Sequence, residues 1–223
     1  NVMAWDELWR VCDVHLPADD RVQLLLRLHV CHILQVCSHH TADMDAGVPA
    51  RGLNGEAYRG HVFWDELFVC SFLNVLMYRY RRLGEARTAA KEAGFRGAMF
   101  PWQSGSEGKE ETQRVHLNPL SGRWEPDLSR NQRHVNIAIF YNIWNYFQAT
   151  QDLAYLRDYG AEMMLEIARF WASIAHFNPA RGRYEIHGVM GPDEFHEKYP
   201  GVREGGLRNN AYTNVAVAWL CDI

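Results

Sequence analysis

The stretch His187 to Glu197, HGVMGPDEFHE, concentrates three carboxylates and two histidines in eleven residues. Gly191-Pro192 forces a turn and steers the backbone before it away from helix. Asp193 and Glu194 are neighbours, so in extended or turn geometry their side chains point different ways. One faces a pocket while the other braces the loop or a histidine. A carboxyl whose pKa is raised by an apolar or like-charged setting serves as a general acid. Phe195 and nearby aromatic residues would supply that setting. A solvated acidic turn explains the composition equally well. Metal ligation by His187, Asp193, His196 and Glu197 is the weaker reading, because the spacing fits no zinc-protease or calcium-loop pattern. No metal is expected.

A second stretch, Arg51 to Glu66 (RGLNGEAYRGHVFWDE), sets Arg59, His61, Trp64 and Asp65 where a Gly-rich loop meets a helix start. A carboxylate beside an indole is suited to gripping a sugar: the ring face stacks and the carboxylate takes two hydroxyls. The competing explanation places Asp65 and Glu66 at a positive helix N-terminus and Trp64 in the core. The glycines do not form a phosphate loop, since GxxxxGK[ST] is absent. PWQSGSEGKEET and GRWEP repeat the aromatic-plus-carboxylate theme with Trp102, Glu110, Glu111, Trp124 and Glu125. Alone they are weak signals, and Glu107 and Lys109 read as solvated. His29 and His32 lie in an apolar helical segment, where a core histidine is the simpler reading. No nucleophile elbow GxSxG occurs.

These stretches must be positioned by helices. DDRVQLLLRLHVCHILQVCS is apolar round most of its circumference, with Asp19 or Asp20 able to cap it, and a helix of that kind is expected between other helices. VFWDELFVCSFLNVLMYRYRRLG is again helical, with Arg79, Arg81 and Arg82 suited to its C-terminal dipole and Gly84 to its end. The short helix EARTAAKEAG is followed by an irregular region from about Phe95 to Arg130. Helix returns at HVNIAIFYNIWNYFQAT. Asp152 caps a helix whose stripe is Leu153, Leu156, Tyr159, Met163, Ile167, Phe170 and Ile174. GRYEIHGVM admits a short strand, and AYTNVAVAWLCDI begins a last helix. Helices alternating with long loops rich in Trp, Gly and carboxylates suggest a helical toroid or bundle carrying a site in its mouth.

Composition narrows the class. A hydrophobic fraction of 48% with 22% charged residues is that of a globular chain. The net charge of −4 gives no basic footprint for nucleic acid, and no apolar run reads as a membrane span. Five cysteines match no disulfide framework or zinc pattern, which points to a reduced, cytoplasmic setting. The start lacks Met and a signal peptide, and the end stops within a helical pattern. Residues 1–223 therefore read as a single segment of a helical catalytic domain, cut at both ends.

RGLNGEAYRGHVFWDE, GVMGPDEFHE and NNAYTN (Asn209 to Asn214) occur in that order, and together they resemble the signatures of glycoside hydrolase family 65, the family of the maltose, trehalose and kojibiose phosphorylases. The resemblance spans nearly the whole chain and looks like the first half of the family's central catalytic domain. It implies an all-α (α/α)6 barrel, here partial and with long functional loops. It implies inverting cleavage of an α-glucosidic bond in a disaccharide. Glu194 in GPDE matches the family's general acid. Trp64 and Asp65 in FWDE match positions that bind the glucosyl unit, with Arg59 in the same motif. Trp124 and Glu125 match more loosely as lining residues. In a phosphorylase inorganic phosphate is the co-substrate and no catalytic base is required, giving β-glucose 1-phosphate; a hydrolase uses water and needs a second carboxylate. The residues deciding between them are expected beyond Ile223. No cofactor is implied, and the full enzyme is expected as a homodimer. Two other classes compete: a non-catalytic carbohydrate-binding fragment, and a toroid of other chemistry with a metal in the 187–197 loop.

Overall fold

The computed structural model describes residues 2–17, 19–37, 44–48, 51–55, 57–64, 73–192, 196–202 and 204–223. About half of the chain is helical. It divides into two compact units, one of Asn1–Met44 with Val48–Gly60, the other of Asp45–Gly47 with His61–Ile223.

The first unit holds α1 (Val2–Cys12) and α2 (Asp20–Val36). Asp19 caps α2 as its position predicts, accepting the Val22 N–H at 2.9 Å. Gln23 ties the connection down, accepting from Leu16 N–H and donating to Val14 O, both at 2.9 Å. Arg27 grips Asp13 with two donors, at 2.9 and 2.6 Å. The expectation of a helix covered on most sides is not met. Leu24, Leu25 and Leu28 are exposed, and Gln23 is the buried residue of α2. The reason is what packs there: a three-residue 3₁₀ turn, Gly52–Asn54, which covers little of a 17-residue helix.

The second unit is built on α3 (Leu73–Arg81), α4 (Leu83–Glu92), α5 (Val135–Thr150), α6 (Leu153–Tyr155), α7 (Ala161–Ile174) and α8 (Ala211–Asp222). α5 packs on α3, α7 and α8. Ile139 and Ile143 of α5 join Met163, Ile167 and Phe170 of α7 in a core from which water is excluded. Asp152 caps α6 by accepting the Tyr155 N–H at 2.9 Å, as expected. The predicted stripe holds at Met163, Ile167 and Phe170 but fails at Leu153, which is 68% exposed while Tyr155 is buried. A π turn over Leu156–Gly160 joins α6 to α7. Its extra residue rotates the turn before it, so spacing counted from α7 selects the wrong side chains in α6.

Three other expectations shift. The helix read from Val62 onward is described from Leu73, and His61–Trp64 is not helical: Val62 and Ser104 form an antiparallel bridge, with Val62 N–H donating to Ser104 O at 2.8 Å. Gly84 does not end α3; it lies inside α4. Arg79 is buried rather than dipole-facing, donating to Val62 O at 3.3 Å with its guanidinium over the Phe100 ring. Arg81 and Arg82 converge on Asp45 at 2.9 and 2.5 Å.

The long connections fold into two-stranded sheets. β1 (Val115–Asn118) pairs antiparallel with β2 (Arg123–Pro126), β3 (His176–Asn178) with β4 (Arg183–Glu185), and β5 (His187–Val189) with β6 (Leu207–Arg208). Gly97 lets the segment before the first of these lie directly on α7. Its φ is +72° and an added Cβ would stand 2.1 Å from Glu166 O, the atom that accepts the Ala98 N–H at 3.0 Å.

Candidate active site

Four rings gather where the second unit's loops meet. The Trp64 indole and the His134 imidazole pack edge to face with centroids 4.7 Å apart. Trp102 lies 5.8 Å from Trp64 and 5.2 Å from His134. Tyr212 completes the group, edge to face with His134 at 5.8 Å. Edge-to-face contacts at these distances are favourable and hold each ring in one orientation.

Each ring is placed by a short local device. Trp64 follows the Val62–Ser104 bridge. Trp102 is fixed by Glu110, whose carboxylate accepts the N–H groups of Trp102, Gln103 and Thr112 at 2.8, 3.1 and 3.1 Å, and the Thr112 hydroxyl as well. His134 sits at the start of α5. Two residues on, the buried Asn136 accepts the Phe100 N–H at 2.7 Å and donates to Arg133 O at 2.9 Å. Tyr212 rides on the first turn of α8, capped by Asn210 through the Thr213 N–H at 3.1 Å. Asn209 adopts φ +54° and accepts the Ile186 N–H at 3.1 Å, which joins β4 to the α8 start.

The same wall carries the beginning of the acidic loop. Met190 N–H donates to Asn131 O at 2.9 Å, and Gly191 N–H to His196 O at 3.0 Å. An added Cβ on Gly191 would stand 2.6 Å from His196 Nδ1, so the glycine permits this close turn. His61 and Glu111 meet at 2.6 Å across the neighbouring loop.

His134 is 1% exposed, and neither ring nitrogen makes a hydrogen bond among the described residues. Burial pushes its pKa down to about 4; the Met190 backbone draws it the other way from outside hydrogen-bond geometry. At neutral pH the imidazole is uncharged. Burial also raises the Tyr212 phenol. The result is a stiff, neutral aromatic floor beside the start of a carboxylate-rich loop. Trp102 and His134 lie buried beneath, and Trp64 and Tyr212 are the rings of this group open enough to meet the apolar face of a sugar ring.

The glycosyl hydrolase family 65 central catalytic domain matches this sequence over residues 27–223. The chain belongs to glycosyl hydrolase family 65. The family-65 chain is 56% identical over 229 residues to an uncharacterized glycosyl hydrolase of Mycobacterium tuberculosis, covering 99% of this chain and 17% of that protein. It is 46% identical over 230 residues to the trehalose 6-phosphate phosphorylase of Lactococcus lactis subsp. lactis, covering 98% of this chain and 30% of the relative. A solved structure assigned as a kojibiose phosphorylase from human microbiome superposes with a TM-score of 0.72 at 29% identity, over 94% of this chain and 30% of that one. The chain thus spans less than a third of these proteins' length.

Of the residues that the family motifs single out, Trp64 stands in the aromatic floor. Glu194 and Asp65 lie outside the described residues. Arg59 belongs to the 3₁₀ turn Tyr58–Gly60, with its side chain outside the described part. Trp124 and Glu125 sit on β2, opposite Leu117 and His116. Trp124 is 69% exposed and makes no ring contact with the floor among the described residues. Sequence reasoning missed His134, which looks like the first residue of an apolar helix. It also passed over Tyr212, although that residue lies inside NNAYTN. Among the described residues no helix is long and apolar enough to cross a membrane.

Proposed function

We propose that this family-65 chain supplies the acid and the glucosyl-binding side of an enzyme that cleaves the α-glucosidic bond of a disaccharide with inversion, by phosphorolysis. The observation that carries the reading is the family match across residues 27–223. The phosphorylase names of several relatives favour phosphate as the nucleophile. In this reading Glu194 gives its proton to the glycosidic oxygen as the anomeric C–O bond breaks. Inorganic phosphate attacks the anomeric carbon from the opposite face, the second sugar leaves as its alcohol, and the product is β-glucose 1-phosphate. Trp64, Asp65 and Arg59 hold the glucosyl unit, while Trp124 and Glu125 line the outer part of the site. The group of Trp64, Trp102, His134 and Tyr212 supports this division of labour, because the buried Trp102 and His134 brace the more open Trp64 and Tyr212, which can meet a glucosyl ring. The helices and their long connections are in keeping with one segment of an (α/α)6 barrel. Cys12, Cys31 and Cys221 are not in disulfides, which suits a reducing cytoplasm. A homodimeric full-length enzyme completes the proposal. Hydrolysis is the second reading, favoured by the glycosyl hydrolase name of the 56% identical relative; water then replaces phosphate and a further carboxylate acts as base.

The test uses the full-length protein with maltose, trehalose, trehalose 6-phosphate and kojibiose, with and without inorganic phosphate, following glucose and β-glucose 1-phosphate. Phosphate-dependent β-glucose 1-phosphate from one sugar is the expected result; phosphate-independent glucose selects hydrolysis. Glu194→Gln is expected to lower kcat by about 10²–10⁴-fold with folding unchanged. Near-normal turnover by that variant would falsify its role as the acid.

A further inference from the structure

Three strands outside the aromatic floor bring together the ligand set of a metal centre. His176 on β3, Glu185 on β4 and His187 on β5 each offer one ligand atom, and the three atoms lie within 4.8 Å of one another. His187 Nε2 is 3.3 Å from Glu185 Oε2, and His176 Nε2 is 4.0 Å from the same oxygen. The two imidazoles meet edge to face with centroids 4.4 Å apart. Both ring nitrogens therefore face one carboxylate oxygen, yet no hydrogen bond joins either to it among the described residues. Zinc takes imidazole nitrogen and carboxylate oxygen at about 2.0–2.1 Å, which sets tetrahedral ligand atoms about 3.3–3.4 Å apart. The His187–Glu185 separation already has that length. His176 closes the remainder by a small rotation, for which its half-exposed side chain has room.

The surroundings fit the same use. Glu185 is 5% exposed, and its other oxygen, Oε1, faces Arg181 and Arg183 at 3.4 Å each. An ionised carboxylate oriented through its second oxygen is the usual arrangement of a metal ligand. The guanidiniums oppose a cation through space, but they are half-exposed, so water screens them, and they face Oε1. A cavity of about 550 Å³, lined by the three ligands with Asn178, Asn209 and the side chains of Arg181, Arg183 and Arg208, leaves space for water to complete the coordination.

We propose that His176 Nε2, His187 Nε2 and Glu185 Oε2 bind a divalent transition-metal ion of the zinc class. Two imidazoles and one carboxylate suit that class better than magnesium or calcium. The ion clips the β3–β4 hairpin to β5, the strand that runs through Met190 into the acidic loop. The site does not depend on the reaction proposed above, and its test needs no sugar.

Full-length protein is stripped with chelator, dialysed against Zn²⁺, and assayed for metal by atomic emission and for melting temperature. Wild type is expected to hold one more zinc per chain than His176→Ala/His187→Ala. Zinc is expected to raise the wild-type Tm by several degrees and leave the variant's unchanged. Equal zinc content and equal Tm shifts in the two proteins overturn the proposal. Should the double variant fail to fold, His176→Cys decides. Loaded with Co²⁺ it must gain a thiolate-to-cobalt charge-transfer band that wild type lacks, and a folded His176→Cys protein without that band sinks the site.

Discussion

Two regions of the second unit, around Trp102 and around Trp124, share one sequence theme, a tryptophan with a glutamate close by, and the fold treats them differently. Trp102 is 9% exposed, ringed by Trp64, Phe63 and His134, and Glu110 accepts three backbone N–H groups around it. Trp124 is 69% exposed on a two-stranded hairpin, with Glu125 facing His116 across the strands. In the first copy the carboxylate shapes the loop that holds the indole, so it has little capacity left for a ligand. In the second the indole is open and the carboxylate is not committed to the backbone. Shared composition thus covers a building element and a surface that can take a ligand. What separates them is where the backbone donors go.

The comparison can be pressed hardest at the indoles. Trp102→Ala is expected to destabilise the protein by about 3–5 kcal/mol in urea unfolding, the range for deleting a buried aromatic side chain. The same change at Trp124 is expected to stay within about 0.5 kcal/mol, as for surface positions. Equal losses at the two sites would end the distinction. Next comes pH. His134 has a folded pKa of about 4 against an ordinary 6.5. Below pH 6.5 the unfolded chain takes up a proton that the folded one refuses, so the stability is present above 6.5 and drains away as pH falls toward 4. The full effect is up to about 3 kcal/mol. Unfolding titrations of wild type and His134→Gln should differ in slope across that window; parallel curves would show that the ring protonates freely. Glu110→Ala is expected to cost about 1–2 kcal/mol through lost acceptors for backbone N–H groups, whereas Glu125→Ala leaves stability nearly unchanged. The smallest expected effect is kinetic: Trp124→Ala should raise KM for the disaccharide a few-fold with Tm constant. A Tm that falls along with affinity would assign Trp124 a packing role instead.

Local chemistry was legible where a single side chain settles a backbone end. Asp19 and Asp152 cap the helices that their positions announce. The strand anticipated in GRYEIHGVM is β4 and β5. Phase was not legible across Leu156–Gly160, because a π turn leaves no mark on apolar spacing until the two sides are compared. The aromatic floor was half legible. Trp64 stands out beside Asp65, but His134 and Tyr212 become its neighbours only in the fold, since the three rings lie far apart in sequence. His176 was hidden likewise: it lies nine positions before Glu185, and antiparallel pairing of β3 with β4 brings them opposite. For Glu194 and Asp65 the motif is the whole basis of the assignment.

The π turn also divides the second unit into two frames of mutational tolerance. One residue subtends about 100° of an α-helix. A map of tolerated substitutions along Leu153–Ile174 should therefore slip by one position between Tyr155 and Met163 instead of running in a single rhythm. Deleting one solvent-facing residue of the turn would remove the extra residue and restore the rhythm, leaving Tyr155 in the core and Leu153 outside. At this place a shorter chain can keep both its helix and its packing.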